Sequence, residues 1–539
     1  MEKSMPARTV ITIETPRTFR AWWARQYWLA VLPALSILLA RYFYPDFLED
    51  EAGKLIAVHR LFDPTFLSHD WLPAIHCEGV FHFTFTALIA PLWLIFKDAL
   101  LVALTGRILI WALLLVSILR LARTIGIPRY SLTIGLALWL FRFQSLGAGE
   151  WIFGGIQSKC VAYALLLLAL DAALQDKTLS SAFLCGFAIW VHVLVGGWGA
   201  MALGGAMLLS PRILGWRKPL AFSAIVTLFL APVAGLFLRN PAHPASAVES
   251  LAADRIIVLF RYPHHLDPFF FHARTEIVLL IILAALATFA FHQLNSQFQA
   301  SLLTSFLAIL LLQFVAGLIA RQFELFWFLK SGPFRVADVL VGLLAFLSIP
   351  ALIARLWHRI PATRVPARMR PIWFAAFCFA FSPLLFVASA PVVLRDLATF
   401  TQSWSHLLRH QPTDWQQATR WILRNTPPSA VILAPPWKGA FWVEAGRAQV
   451  VNYEPAPHDA EFLLWHRRLS ALNGGPFHFV GQKVIEELQE NYPQLTPGTI
   501  QKVINDFGAD YFLATRQYPE FQSRLVYRNN IYFLYKFAE

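Results

Sequence analysis

"YWLAVLPALSILLARYFYPDFLEDE", residues 27–51, decides how the rest of the chain is read. Its apolar part, Tyr27 to Tyr42, has the makings of a membrane span, and a span needs roughly 20 mostly apolar residues to cross a hydrocarbon core about 30 Å thick. Three acids, Glu49, Asp50 and Glu51, then stand side by side where that segment ends. The composition around it agrees with a membrane protein: 57% hydrophobic, 15% aromatic and only 14% charged, with a mean hydropathy of +0.53. Such a chain has too little polar surface for a soluble globular fold.

Further windows of the same kind are Leu101 to Leu119, Cys160 to Ala173, Leu220 to Leu238, Glu276 to Phe291, Ser301 to Ala320, Val336 to Ala354 and Ile372 to Pro391. Ser131 to Phe141 is short before Arg142 interrupts it, and Ser180 to Leu209 suits two half-crossings that break around "HVLVGG". About eleven crossings are expected over residues 27–391. Lys3, Arg8, Arg17, Arg20 and Arg25 precede the first span, so the excess of basic residues places the segment 1–26 in the cytoplasm. That leader is too long, and lacks a small-residue cleavage site, for a removable signal peptide. The loop 45–80 is then expected outside, at a bacterial cytoplasmic (inner) membrane.

"FHFTFTALIAPLWLIFKD" is apolar but contains Pro91, and a crossing there would turn Arg120, Arg123 and Arg129 outward. Phe81 to Phe96 is therefore read as a segment that dips in or lies on the outer face, a place where irregular backbone must be buried or face a water-filled cavity. The clusters at Arg212, Arg217 and Lys218, and from Arg355 to Arg370, then fall inside. The formal net charge of +13 follows largely from them, and it suits an anionic leaflet and calls for no nucleic acid.

After Pro391 the chain turns to mixed polar and apolar sequence, and residues 392–539 read as a small extracytoplasmic α/β domain. Thr413 with Gln416 reads as a capping box, "NTPPSAVILAPP" as a turn into a short strand, and "RLVYRNNIYFLYKF" as a hairpin turning at Asn529 and Asn530. Helices are expected around Asp459 to Leu472 and Thr499 to Asp506. Cys160, Cys185 and Cys378 lie in apolar spans and Cys77 outside, which gives no disulfide framework.

Acids at a membrane exit are often only solvated loop charges. Three packed together raise one member's pKa by repulsion, which suits proton abstraction, and they also offer oxygen ligands to a divalent metal. On the same side stand Glu150 and Lys159 in "GAGEWIFGGIQSK", Asp70 in "LSHDW", and Arg261, His264 and His265 in "RYPHHLDP". Two adjacent histidines do not share a helix face, so a phosphate or sugar contact is favoured over a metal site there. Arg335 lies in "SGPFRVADV", where a guanidinium takes a phosphate in a planar fork. The plainer readings are a snorkelling Lys159, an ordered loop around His264 and an interfacial anchor at Arg335. Trp437, Trp442 and Trp465 are candidates for stacking on sugars.

One basic-flanked span, an external loop with Asp-Glu, a half-inserted segment, many further spans and an external C-terminal domain together resemble the GT-C class of membrane glycosyltransferases. Protein O-mannosyltransferases and the bacterial transferases that put aminoarabinose on lipid A share this plan and use polyprenyl-phosphate sugars. The resemblance implies a base or metal-associated carboxylate in the first external loop, carried onto Asp50 and Glu51 of "EDEAGKLI" and, with less force, onto Glu49. "SILRLARTIGIP" is similar to the basic inner end of the following span in those families. "GGIQSKCVAY", "RYPHHLDP", Pro333 to Arg335, "NTPPSAVILAPP" and "EAGRAQVVNYEPAP" resemble a group of bacterial multi-pass proteins with a C-terminal domain of unknown function. The expected partners are the bilayer, a polyprenyl-phosphate sugar as donor and an acceptor outside the cytoplasm. A transporter or flippase built on the broken segment Ser180 to Leu209 is the alternative, and a non-catalytic envelope assembly protein the third.

Overall fold

The computed structural model describes residues 27–48, 51–72, 80–142, 144–210, 215–239, 246–271, 274–293, 296–358, 394–395, 397–405, 412–454, 456–457 and 461–537. Glu49, Asp50, Cys77, Cys378 and the window Ile372 to Pro391 lie outside these residues. A 3₁₀ turn, Tyr27–Val31, leads into α1 (Leu32–Tyr42), followed by α2 (Glu51–Phe62), α3 (Val80–Phe96), α4 (Ala99–Ile125), α5 (Arg129–Arg142), α6 (Ser158–Leu174), α7 (Thr178–Val191), α8 (Val193–Leu209) and α9 (Arg217–Arg239). After α10 (Ala247–Ile256) the helix widens to a π turn at Ile257–Arg261, and α11 (Arg274–His292), α12 (Gln297–Gln322) and α13 (Arg335–His358) complete the bundle.

Among the described residues four helices are long and apolar enough to cross a membrane: α4, α9, α12 and α13. Shorter apolar helices accompany them, among them Tyr27–Tyr42, Thr178–Val191 and Val193–Leu209. Each apolar window of the sequence inside the described residues falls on one of these helices. The helix α6 is buried nearly all round, from Ser158 to Leu174, which is why its sequence shows no polar face. The break expected near "HVLVGG" falls at His192, whose extended backbone ends α7 and caps α8 by accepting from Val195 N at 3.2 Å. A Cβ on Gly196 would come within 2.5 Å of the Ala188 and Ile189 backbone, so only glycine lets the two helices fold back so closely. The α3 segment is a continuous helix through Pro91 that packs on α2 and α4.

The C-terminal residues form α14 (Asp414–Asn425), β1 (Val431–Leu433), α15 (Phe441–Ala445), β2 (Ala448–Gln449), α16 (Glu461–Leu472), α17 (Lys483–Asn491), α18 (Pro497–Phe507), β3 (Tyr511–Ala514), β4 (Leu525–Arg528) and β5 (Phe533–Lys536). Their sheet has the order β2-β1-β3-β5-β4, with β1 parallel to β2 and β3, and β5 antiparallel to β3 and β4. The Thr413–Gln416 capping box is present, and Asn529 Oδ1 accepts from Ile531 N and Tyr532 N in the β4–β5 turn.

This α/β unit is not closed by itself. Ile56, Leu67 and Leu72, from α2 and the segment after it, sit in one core with Ile422, Phe441, Trp442 and Leu534. Asp70 fixes the junction: its Oδ2 accepts from Trp442 Nε1 at 2.6 Å and Gln449 N at 2.7 Å, and its Oδ1 from Leu72 N at 2.9 Å. Elsewhere Gly481 N donates to Phe260 O at 2.7 Å. The domain is therefore clamped to the helical body at several places, with Trp71 Nε1 also donating to Val450 O at 3.0 Å.

Candidate functional site

Between these clamps lies a cavity of about 920 Å³, within the size range of small-molecule and cofactor sites. Three pieces of chain build it: the turn 42–48 after α1, the loop 144–155 before α6, and the turn 261–265. Glu454 and Gln482 of the C-terminal domain also line it.

The turn after α1 is held by an arginine inside the α4 span. Arg107 is fully buried and uses all five donors: Nε and Nη2 to Glu51 at 2.9 and 2.5 Å, Nη1 to Tyr42 O and Tyr44 O at 3.0 Å, and Nη2 again to Asp46 O at 2.5 Å. Glu51 completes the knot, its Oε1 accepting from Ile156 N and its Oε2 from Leu48 N, each at 2.7 Å. A carboxylate with both oxygens so occupied, and no exposure, anchors the loop. A Cβ on Gly155 would lie 2.7 Å from Glu51 Oε1, so the cavity wall rests directly on this ion pair.

The loop 144–155 has two more braces. Gln144 Oε1 accepts from Phe153 N at 2.8 Å and Ile152 N at 3.2 Å. Asp338 of α13, also buried, accepts from Ser145 Oγ at 2.6 Å, Leu146 N and Gly147 N at 2.7 Å, and Glu150 N at 3.3 Å. Gly149, at φ +62°, supplies the left-handed turn, and a Cβ there would press on His265 Nδ1 at 3.2 Å. The turn 261–265 is pinned in its own way, through Asp267 to Arg321 at 2.8 Å.

These braces gather the predicted residues. Glu150 is fully buried in the wall, with Lys159 Nζ 3.4 Å from its Oε1 and Arg335 Nε 3.5 Å from its Oε2. Neither oxygen accepts a hydrogen bond among the described residues. Lys159 also lies over the Trp151 ring at 4.0 Å. Arg261 donates to Glu454 at 3.0 Å and stacks on Tyr453 and Tyr262 at 4.0 and 4.4 Å. His265 Nδ1 lies 2.6 Å from Ala148 O, and because a carbonyl only accepts, that nitrogen carries the proton. Burial, with Arg335 beside it, pushes the His265 pKa well down; burial and then Arg261 bring His264 to about 4, so both rings are neutral at physiological pH. His264 Nδ1 is buried with no hydrogen-bond partner.

Glu150, Lys159, Arg261, His264 and His265 thus line one cavity, and Arg335 stands against its wall through Glu150. Glu51 lies behind the wall, while Glu49 and Asp50, outside the described residues, directly follow Leu48, which lines it. Asp70 lines no part of the cavity and serves the domain junction. The sugar-stacking expectation fails for Trp442 and Trp465: both are fully buried in the domain core, their indole N–H groups spent on Asp70 and on Asn452 O. Trp437 alone of the three is partly open. Among the described residues no three His, Cys, Asp or Glu side chains converge as a metal site, and two cations flank the Glu150 carboxylate.

Residues 413–472 match a family described as a domain of unknown function, DUF6798. No curated protein matches the sequence. The structure is similar to the oligosaccharyltransferase AglB of Archaeoglobus fulgidus, solved with an inhibitory peptide and a dolichol-phosphate, at 12% identity and a TM-score of 0.48 over 92% of this chain and 70% of that one. It is also similar to ArnT of Cupriavidus metallidurans bound to undecaprenyl phosphate, at 13% identity and a TM-score of 0.42 over 96% of this chain and 98% of that one.

Proposed function

We propose that this chain is a GT-C-type membrane glycosyltransferase that moves a sugar from a polyprenyl-phosphate donor to an acceptor on the face bearing the C-terminal domain. The observation that supports it most is the Lys159–Glu150–Arg335 cluster, a buried carboxylate at ion-pair distance from two cations, with hydrogen-bonding capacity left unused at the wall of an open cavity. Buried polar groups are costly to leave unsatisfied: a phosphate offers oxygens to Lys159 and to Arg335 Nε, which makes no hydrogen bond among the described residues, the Glu150 oxygens can accept only from a hydroxyl of the sugar or the acceptor, and His264 faces the same space.

In this reading the acceptor hydroxyl attacks the anomeric carbon and the bond from that carbon to the donor phosphate oxygen breaks. The acceptor proton passes to Asp50, and Lys159 and Arg335 take up the charge that grows on the leaving phosphate. Glu150 keeps the two cations apart and oriented. Glu51 acts as a positioning residue, holding the turn 42–48 that precedes Asp50 in the chain. The N-terminus is cytoplasmic and the site faces the periplasm.

The test uses purified protein in lipid with a panel of polyprenyl-phosphate sugars, following donor hydrolysis and transfer. Wild type turns over at least one donor, and Asp50→Asn loses turnover while retaining its melting temperature and its binding of undecaprenyl phosphate. Absence of donor binding in wild type sinks the proposal and makes transport in sealed vesicles the next assay.

A further inference from the structure

A second cavity, about 420 Å³, adjoins the first and shares Phe47, Leu48, Glu454 and Gln482 with it. The donor chemistry makes no use of it. Its floor is Ala52 and Gly53 of α2, the helix that begins immediately after Asp50. Its opposite wall comes from the C-terminal domain. Trp437 is partly open there, and its ring is fixed edge-on against Tyr492 with centroids 5.5 Å apart. Gln482, Ile485 and Glu486 follow at i, i+3 and i+4, so one face of α17 meets the space. The Asn452 amide is held by Lys438 O at 2.9 Å and Gln449 Oε1 at 2.8 Å.

No Lys or Arg is among the described lining residues, which argues against a phosphate or other anion in this space. None of them belongs to a strand, so no sheet edge is offered for pairing with an extended peptide. What remains is an aromatic plate bordered by the Gln482 carboxamide and the carboxylates of Glu454 and Glu486. The C–H face of a pyranose ring packs on such a plate by dispersion, and its hydroxyls donate to carboxylates and exchange hydrogen bonds with amides. We infer that this cavity binds a neutral saccharide, the glycan part of the acceptor, stacked on Trp437 so that its hydroxyl is presented across α2 to the donor cavity. The inference rests on the transferase reading for its role as acceptor site, and on the cavity alone for saccharide binding.

The experiment takes the full chain in nanodiscs and titrates it with neutral di- to tetrasaccharides of glucose, mannose, galactose and rhamnose, read by ligand-observed NMR, with undecaprenyl phosphate titrated separately. At least one saccharide binds, Trp437→Ala weakens it about tenfold or more, and Trp437→Phe restores most of the loss. If Trp437→Ala fails to fold, Gln482→Ala and Glu486→Gln carry the test and weaken the same saccharide. Saccharides that do not bind at millimolar concentration, or bind equally to every variant, overturn the inference. Peptides of a random pool that bind and are lost in Trp437→Ala also overturn it, in favour of a polypeptide acceptor. A saccharide that binds in a Trp437-dependent way to a protein that ignores undecaprenyl phosphate leaves this site standing and removes the donor reading instead.

Discussion

Replacing Glu51 by glutamine separates an anchoring role from a chemical one. The side chain is fully buried, and its oxygens take four hydrogen bonds, two from Arg107 and one each from Leu48 N and Ile156 N. Glutamine keeps one oxygen and turns an NH2 group toward donors that have nothing to accept it, leaving the Arg107 charge without its counter-ion inside a helical bundle. Removing one partner of a buried pair costs about 3–5 kcal/mol. Spread over the unfolding entropy of a chain this long, that is a fall in Tm of about 3 °C or more. Arg107→Met should cost a similar amount, because Tyr42 O, Tyr44 O and Asp46 O lose their donor along with Glu51. The double variant Arg107→Met with Glu51→Leu should regain much of the loss, since neither charge is then stranded. Thermal unfolding in lipid nanodiscs measures all three. A Glu51→Gln protein that melts with wild type yet has no turnover would refute the anchoring argument and make Glu51 a participant in the chemistry.

Three further outcomes are expected. Asp338→Ala strands Ser145 Oγ and three backbone N–H groups, so the protein loses about 3–5 kcal/mol and its affinity for undecaprenyl phosphate falls with it, as Tm and lipid titration would show. Lys159→Gln and Arg335→Gln each weaken undecaprenyl phosphate binding by about tenfold, the worth of one charge-assisted contact, and an unchanged Kd in both would exclude the cluster from phosphate recognition. Burial, with Asp46 nearby, raises the pKa of Glu444 in the C-terminal domain from 4.5 to about 7. The folded state then holds a proton that the unfolded chain has released, so this contribution is full below the unfolded pKa and is lost as pH rises through the folded one. Tm should therefore fall from about pH 5 to about pH 8, and Glu444→Gln, which still offers an acceptor to Trp415, should flatten that fall.

The helices were legible because apolar runs of adequate length leave few alternatives, and the capping box and the Asn-Asn hairpin because each carries its own hydrogen-bonding logic. Lys159, Glu150, His264 and His265 were legible as polar groups at the edge of apolar segments, where their cost points to a use. The roles within the acidic run were not. Neighbouring residues at a helix start point in different directions, and what holds Glu51 inward is an arginine more than fifty residues away. That arginine, Arg107, was hidden by averaging, since one charge hardly lowers the hydropathy of Leu101 to Leu119. Its signal was nevertheless present, as a lone charge inside a span must find a partner. Asp338 escaped for the same reason. Trp442 and Trp465 misled because sequence cannot say whether an aromatic ring in an α/β domain faces the core or the solvent.

The junction at Asp70 also bears on how the chain is made. Its partner Trp442 lies 372 residues downstream, and ribosomes add about 5–20 residues per second. For about 20 to 70 s, then, the segment carrying Leu67, Asp70 and Leu72 exists without the core that will cover it. During that interval it has only the nascent helices around it for shelter. About the last quarter of the protein is what ends the wait, so a ribosome that stalls before Trp442 leaves behind a bundle with its own apolar socket open to whatever else is near.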